Sequence, residues 1–213
     1  MQKDNVVDNS TRIRPSKLEI YGFWGLLKLS FDLIRTKIIL KNVRIIRFPI
    51  QIRGKKYIDF GNNNTFGTGC RIEAYPYKHR NTLIQFGDNI EINDFVHITG
   101  VESVIIGNNV LMASKIYISD TNHGSYKGDE NDSHPDTIAG KRLALGSPVI
   151  IEENVWIGES VSILAGSQLG KCSIIGSNSV VSGNIPAYTI AVGVPAKPIK
   201  EYDFEKKRWV KIK

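Results

Sequence analysis

Four histidines, His79, His97, His123 and His134, are the side chains here best suited to move a proton near neutral pH. An imidazole with its ordinary pKa of ~6.5 is largely neutral at pH 7 and can take a proton from a weak nucleophile such as a hydroxyl. His123 stands in the run SDTNHG at the head of a long polar stretch, and Asp120 precedes it by three residues. The Asp120 carboxylate could orient that imidazole or could cap the loop that carries it. His97 falls beside Ile98 in a slot that points away from the core, which reads as a satisfied surface histidine. His79, in YPYKHRN, and His134, before Pro135, sit in polar insertions, either solvated or touching an acceptor. The two cysteines, Cys70 and Cys172, form no CxxC pair, and no histidines form an HxxxxH-like pair, so no metal is expected. So few cysteines read as reduced thiols in a cytoplasmic protein.

The element that must position these groups announces itself by its period. Ile151, Ile157, Ile163, Leu169, Ile175 and Val181 recur every six residues. That beat fits neither a helix nor an ordinary strand; a hexapeptide repeat winds a parallel β-helix. With phase breaks, the same beat runs through Phe60, Phe66, Ile72, then Phe86, Ile92, Ile98, then Ile106, Met112, Ile118. The spacing predicts a mainly β protein of about five coils with three strands each. Gly61-Asn62-Asn63, Gly87-Asp88-Asn89 and Gly107-Asn108-Asn109 suit the corners. The expected organisation is a basic N-terminal segment over 1–57, a repeat domain over 58–185 with a loop insertion at 119–148, and a C-terminal cap over 186–213. That cap is expected to be irregular chain followed by a short helix over the last coil, since a solenoid end needs covering.

Charge is uneven along the chain. Residues 1–57 carry 13 Lys and Arg against 4 Asp and Glu, a net of +9; residues 58–196 carry 8 against 14, a net of −6; residues 197–213 carry 7 against 3, a net of +4. No basic stripe crosses the repeat body, so nucleic acid is not an expected partner. Residues 1–17 read as a polar lead without a signal peptide. Residues 18–40 hold too many charges for a membrane span. They read either as an amphipathic helix on an anionic inner-membrane face, with contact through residues 18–56, or as a helix packed across the first coil.

The segment NVWIGESVSILAGSQLGKCSIIGSNSVVSGNIPAYTIAVGVPAKPIK, from Asn154 to Lys200, resembles the hexapeptide-repeat acetyltransferases, in the branch of sugar and polysaccharide O-acetyltransferases. The resemblance is strong from about Phe86 to Lys200 and weak before it. It implies a left-handed parallel β-helix, a homotrimer with sites between subunits, and acetyl-CoA as donor. The implied acceptor is a sugar hydroxyl of a bacterial surface polysaccharide, O-antigen or capsule, or its precursor. An amine on a nucleotide-linked amino sugar is the alternative acceptor, and a non-catalytic structural β-helix the alternative of another class. A γ-class carbonic anhydrase shares the prism but lacks a match in the histidines.

The resemblance also implies roles for residues. His123 falls where the catalytic base stands. Asn93, in IEINDF, aligns with an asparagine near the acceptor hydroxyl and reacting centre, and Asp120 is a third catalytic candidate. Trp156, in VWIG, is placed beside the pantetheine arm. Donor contacts fall on Glu159, Ser177, Ser182, Gly183, Lys197 and Lys200. The family often has serine at position 159 and Lys or Arg at 183, so the phosphate grip is expected to rest on Lys197 and Lys200. The insertion from Gly124 to Ser147 reads as a lid and acceptor platform, with Tyr126, Lys127, Lys141 and Arg142 able to hold an anionic sugar.

Overall fold

The computed structural model describes residues 15–77 and 81–212, so most of the polar lead, and His79, lie outside the described residues. Fifteen residues of the sixfold series, Phe60 to Val181, are at most 7% exposed. Short strands alternate with turns and wind into a three-sided column. The first face stacks Ile45–Ile46, Thr65–Phe66, Glu91–Ile92, Leu111–Met112, Trp156–Ile157, Ile174–Ile175 and Thr189–Val192. The second stacks Gln51–Arg53, Arg71–Ala74, His97–Gly100, Tyr117–Ser119, Ser162–Ile163 and Val180–Val181. The third stacks Ile58–Asp59, Ile84–Phe86, Val104–Ile106, Val149–Ile151, Gln168–Leu169 and Asn184–Ile185. Neighbours on each face pair in parallel, with the inward side chains in register: Ile52, Ile72, Ile98, Ile118, Ile163 and Val181 on the second face.

The column has six turns, one more than the phase count gives. Ile46, Ile52 and Ile58 keep the sixfold beat but stand two residues out of step with Phe60, which hides the first turn in the sequence. Burial, rather than propensity, holds these two- to four-residue strands. The Phe60, Phe66 and Phe86 rings meet at 5.3–6.0 Å between centroids near the start of the core. The corner asparagines behave as expected: Asn63, Asn89 and Asn109 adopt φ of 57–58°, a left-handed conformation that asparagine tolerates. Asn63 Nδ2 donates to Asn89 Oδ1 at 2.8 Å, so the corners also ladder.

Both insertions leave the same edge, between the second and third faces. One spans residues 75–83 in the second turn, the other residues 120–148 in the fourth. The intervening third turn crosses that edge through residues 101–103 alone.

At the N-terminal end, helix α1 (Lys17–Ile39) opens with a capping box between Ser16 and Glu19 and breaks its helical geometry at Gly22, φ 62°. It rests on the first turn through polar groups. Thr36 Oγ1 accepts from the Ile46 amide at 2.8 Å and donates to the Asp32 carbonyl at 2.6 Å. The Arg35 guanidinium lies 3.9 Å over the Phe48 ring. Apart from the half-buried Leu26 and Leu29, the large apolar side chains of α1 point outward, Trp24 79% and Ile38 77% exposed.

The C-terminal cap departs from the expected short helix. Lys197–Asp203 runs antiparallel to Thr189–Val192, and Arg208–Lys211 runs antiparallel to it in turn. The last rung exposes a row of unpaired amides and carbonyls, which a strand can satisfy and a helix cannot. The cross-strand pair Tyr202–Trp209, 5.4 Å between centroids, holds the hairpin together.

Candidate active site

His123 ends a short antiparallel ribbon in which Thr121–His123 pairs with Ala144–Gly146, His123 lying opposite Ala144. The turn that follows requires glycine: Gly124 has φ +106°, and a Cβ there would meet Ser133 Oγ at 2.5 Å. The His123 carbonyl accepts from the Tyr126 hydroxyl. The imidazole itself is exposed, and among the described residues no side chain hydrogen-bonds to it. It forms the rim shared by two cavities. The larger, about 430 Å³, is lined by Tyr77, Gly140, Arg142, Leu143, Ala144 and Leu145 as well as His123. The smaller, about 150 Å³, runs back over Thr99, Tyr117, Ser119 and Thr121 to Tyr75 and Tyr77. The two tyrosine rings stack at 5.9 Å with only 7° between planes. A flat aromatic wall beside hydroxyls and a free imidazole is chemistry suited to a sugar, whose C–H face is apolar and whose edge is polar.

Asp120 takes the capping role rather than the orienting one. Its side chain is fully buried. Its two oxygens accept from the amides of Val101, Glu102 and Ser103 at 2.7–3.1 Å, and from the Thr121 hydroxyl at 2.9 Å. Three amides in the tight 101–103 corner need an acceptor, and the carboxylate meets that demand. Asp120 thus fixes the root of the ribbon that carries His123.

Tyr126 and Arg142, expected at an anionic sugar, also brace the loop. Arg142 donates to Tyr126 Oη at 2.8 Å, to the Pro135 carbonyl at 2.8 Å and to the Thr137 carbonyl at 3.2 Å. Its committed guanidinium still borders the larger cavity. Lys141 is exposed at the end of a single 3-10 turn. His134 is exposed, its Nδ1 accepting from the Asp136 amide at 3.3 Å.

A buried acid lies beyond the far end of the smaller cavity. Glu73, its side chain 5% exposed, holds Arg53 at 2.6 Å, Arg71 at 3.0 Å and His97 Nε2 at 3.1 Å. Burial, together with the neighbouring Arg71 cation, pushes the His97 pKa down against the pull of Glu73. His97 is thereby a half-buried, hydrogen-bonded structural group beside Tyr117, as the sequence suggests.

The remaining sites are spread over two edges, the first face and the C-terminal hairpin. Asn93, Glu159 and Ser177 stack along the edge between the first and second faces, as the ladder Asn93–Met112, Ala113–Ile157 and Gly158–Ile175 shows. Asn93 Nδ2 donates to the Met112 carbonyl at 3.0 Å, and Glu159 accepts from the Ser114 amide at 3.1 Å. Trp156, 50% exposed, lies on the adjoining first face between Leu111 and Ile174. Ser182 and Gly183 stand on the His123 edge, two turns further along. Nothing lies within 4 Å of a Cβ built on Gly183, so that position has room for a longer side chain. Lys197 is exposed opposite Val192, and Lys200 is half-buried opposite Ile190. One chain therefore does not bring His123 together with Asn93 or Trp156. Sequence reasoning missed Tyr75 and Tyr77; the signal available was that their insertion and the His123 loop interrupt the repeat at equivalent corners. Among the described residues, no cluster of three His, Cys, Asp or Glu side chains is placed to hold a metal.

Comparison with known proteins agrees with this architecture. Residues 148–183 match the family model described as bacterial transferase hexapeptide (six repeats). WbbJ of Escherichia coli (strain K12), whose name assigns it provisionally to lipopolysaccharide biosynthesis as an O-acetyl transferase, is 44% identical over 191 residues, covering 90% of this chain and 95% of that protein. The crystal structure of a point mutant of AntD, an N-acyltransferase from Bacillus cereus, superposes with a TM-score of 0.62 at 22% identity, covering 78% of this chain and 84% of that one. A galactoside acetyltransferase in complex with coenzyme A superposes with a TM-score of 0.52 at 26% identity, covering 68% of this chain and 72% of that one. With its six stacked turns, its exposed His123 imidazole on a looped-out ribbon and these relatives, the chain belongs to the hexapeptide-repeat acetyltransferase family, built on the left-handed parallel β-helix, in the branch that holds the O-acetyltransferases.

Proposed function

We propose that this acetyltransferase moves acetyl from acetyl-CoA to a sugar hydroxyl of a bacterial surface polysaccharide or its precursor, with His123 as general base. The carrying observation is the exposed His123 imidazole at the rim of two cavities, one walled by the stacked Tyr75 and Tyr77. The name of the Escherichia coli relative, which points to lipopolysaccharide, supports the acceptor class. The setting is the cytoplasmic side of the inner membrane.

The donor residues fit an acyl-CoA. Leu111, Trp156 and Ile174 form an outward-facing strip beside Glu159 and Ser177, suited to a pantetheine arm, and Lys197 is exposed for phosphate. Acetyl-CoA, when bound, supplies a carbonyl activated as a thioester and a good sulfur leaving group. A His123 ring nitrogen takes the proton of the acceptor hydroxyl as that oxygen attacks, then gives it up to the departing sulfur. Asn93 keeps one N–H beyond its bond to Met112, and that N–H suits the developing oxyanion. Because His123 and Asn93 lie on different edges, the reading includes a homotrimer in which neighbouring columns complete each site.

The test is coenzyme A release against a panel of bacterial glycans and nucleotide-linked amino sugars, with the acetyl group located by NMR. His123→Ala is expected to lower kcat by about 10²–10⁴. Near-normal kcat in that variant removes His123 as the base, and transfer only to the amino sugars moves the reading to N-acetylation. A coenzyme A thermal shift checks donor binding independently of the acceptor.

A further inference from the structure

Helix α1 is turned inside out relative to an ordinary surface helix. The stripe against the column is Leu29, Asp32 and Thr36, and its two fully buried members are the polar ones. On the opposite side, Trp24, Leu27, Phe31, Ile34 and Ile38 recur at spacings of 3, 4, 3 and 4 residues, one straight stripe on a helix. All five are exposed, from 38% at Leu27 to 79% at Trp24. A contiguous apolar stripe of this length marks an interaction surface.

Charge identifies the occupant. Residues 15–57 carry 10 Lys and Arg against 2 Asp and Glu, a net of +8. A second copy of this helix would set that charge, including Lys28, Arg35 and Lys37 beside the stripe, against itself. An anionic bilayer satisfies both the apolar stripe and its basic flanks. Tyr21 and Trp24 are the residue types that settle at the headgroup level. No helix among the described residues is long and apolar enough to cross a membrane, so α1 would lie in the plane of the surface.

We propose that α1 docks the enzyme on an anionic phospholipid surface through Trp24, Leu27, Phe31, Ile34 and Ile38, and that the acceptor reaching His123 is a glycan carried on a lipid anchor in that surface. The second half rests on the acetyltransferase reading above. Helix α1 hydrogen-bonds to Ile46 in the first turn, and the His123 ribbon leaves the fourth. Three rungs separate them, about 14 Å along the column. The Tyr75–Tyr77 wall leaves the second turn, between the two. A sugar chain rising from the bilayer thus meets the tyrosines before it meets the imidazole.

The test is flotation of the full chain with phosphatidylcholine vesicles, with and without phosphatidylglycerol. The wild type is expected to float with the anionic vesicles and to be partly released by salt. Phe31→Ser/Ile38→Ser, exposed positions checked for folding by circular dichroism, is expected to reduce the floating fraction at least about tenfold. A wild type that stays unbound, or a variant that floats equally well, overturns the docking. So does a variant that only splits a wild-type oligomer, which would make the stripe an interface between copies. For the acceptor, the variant should match wild-type kcat on a water-soluble oligosaccharide and fall at least about tenfold on its lipid-linked form in vesicles. Equal rates on the vesicle-borne form overturn that half. Absence of transfer to either acceptor removes it together with the acetyltransferase reading, while flotation still decides the docking.

Discussion

His123 and Trp156 stand on different sides of the same column: His123 leaves the edge between the second and third faces in the fourth turn, and Trp156 lies on the first face in the fifth. Under the proposed trimer, a complete site takes its imidazole from one subunit and its indole from the next. Mixing inactive His123→Ala and Trp156→Ala subunits one to one, after dissociation and reassembly, is expected to restore about a quarter of the sites. Activity that stays at the level of the separate variants places both residues outside a shared site.

Asp120 offers a separation of scaffold from chemistry. Asp120→Ala leaves three amides of the 101–103 corner without their acceptor. A loss of about 2–4 kcal/mol in unfolding stability is expected, read by urea denaturation. Residual activity should keep the wild-type pH profile. A displaced profile would mean that the carboxylate acts on the imidazole after all.

Stability should fall on mild acidification because of His97. Its folded pKa lies below the ordinary histidine value, so the unfolded chain binds the proton first. The contribution is therefore complete above pH ~6.5 and is lost as pH drops through that value towards the lower folded one. A Tm series from pH 7.5 downward should decline less steeply in His97→Gln than in the wild type. Parallel curves would assign the decline to other groups.

The two thiols should separate kinetically. Burial raises the Cys70 pKa to about 11, leaving about one thiolate in a thousand at pH 8. Cys172 is only half-buried, at a corner with φ 56°. Titration of the native protein with a chromogenic disulfide should give one readily reacting thiol, and two after denaturation. Two equally fast thiols in the native state contradict the burial of Cys70.

Donor affinity should respond in opposite directions at two positions. Lys197→Ala is expected to weaken coenzyme A binding about three- to tenfold and to flatten its salt dependence. Gly183→Arg adds a cation where the backbone leaves open space, and should tighten binding by a similar factor. Calorimetric Kd values at two salt concentrations decide both. An unchanged Kd in each variant would place the phosphates elsewhere.

The inward face of the column was legible because one physical rule governs it: a residue that stacks on its counterpart in the next turn must be apolar, and corners recur at fixed intervals. That rule placed Phe60 through Val181 and the αL asparagines Asn63, Asn89 and Asn109. It lost the first turn, where Ile46, Ile52 and Ile58 are out of phase with Phe60 by two residues. The tail went to a hairpin because unpaired rung edges, invisible in a local pattern, favour a strand. Asp120 was undecidable from spacing alone, since three residues separate it equally from a cap and from an orienting role. Tyr75 and Tyr77 were missed because their proximity to His123 depends on two insertions, two turns apart, sharing an edge. The exposure of the α1 stripe depends on which side Thr36 and Asp32 choose, and a buried polar pair runs against the usual pattern.

The C-terminal hairpin also changes what the first face offers at its last rung. Identical rungs carry no instruction to stop, and a bare last rung offers the same hydrogen-bonding template as every one before it. By laying Lys197–Asp203 antiparallel across Thr189–Val192 and following it with the basic Arg208–Lys211, the chain reverses its direction and closes the first-face sheet with a strand studded with positive charge. Shorn of that reversal, the Thr189–Val192 rung would present an open edge on the first face to any passing strand.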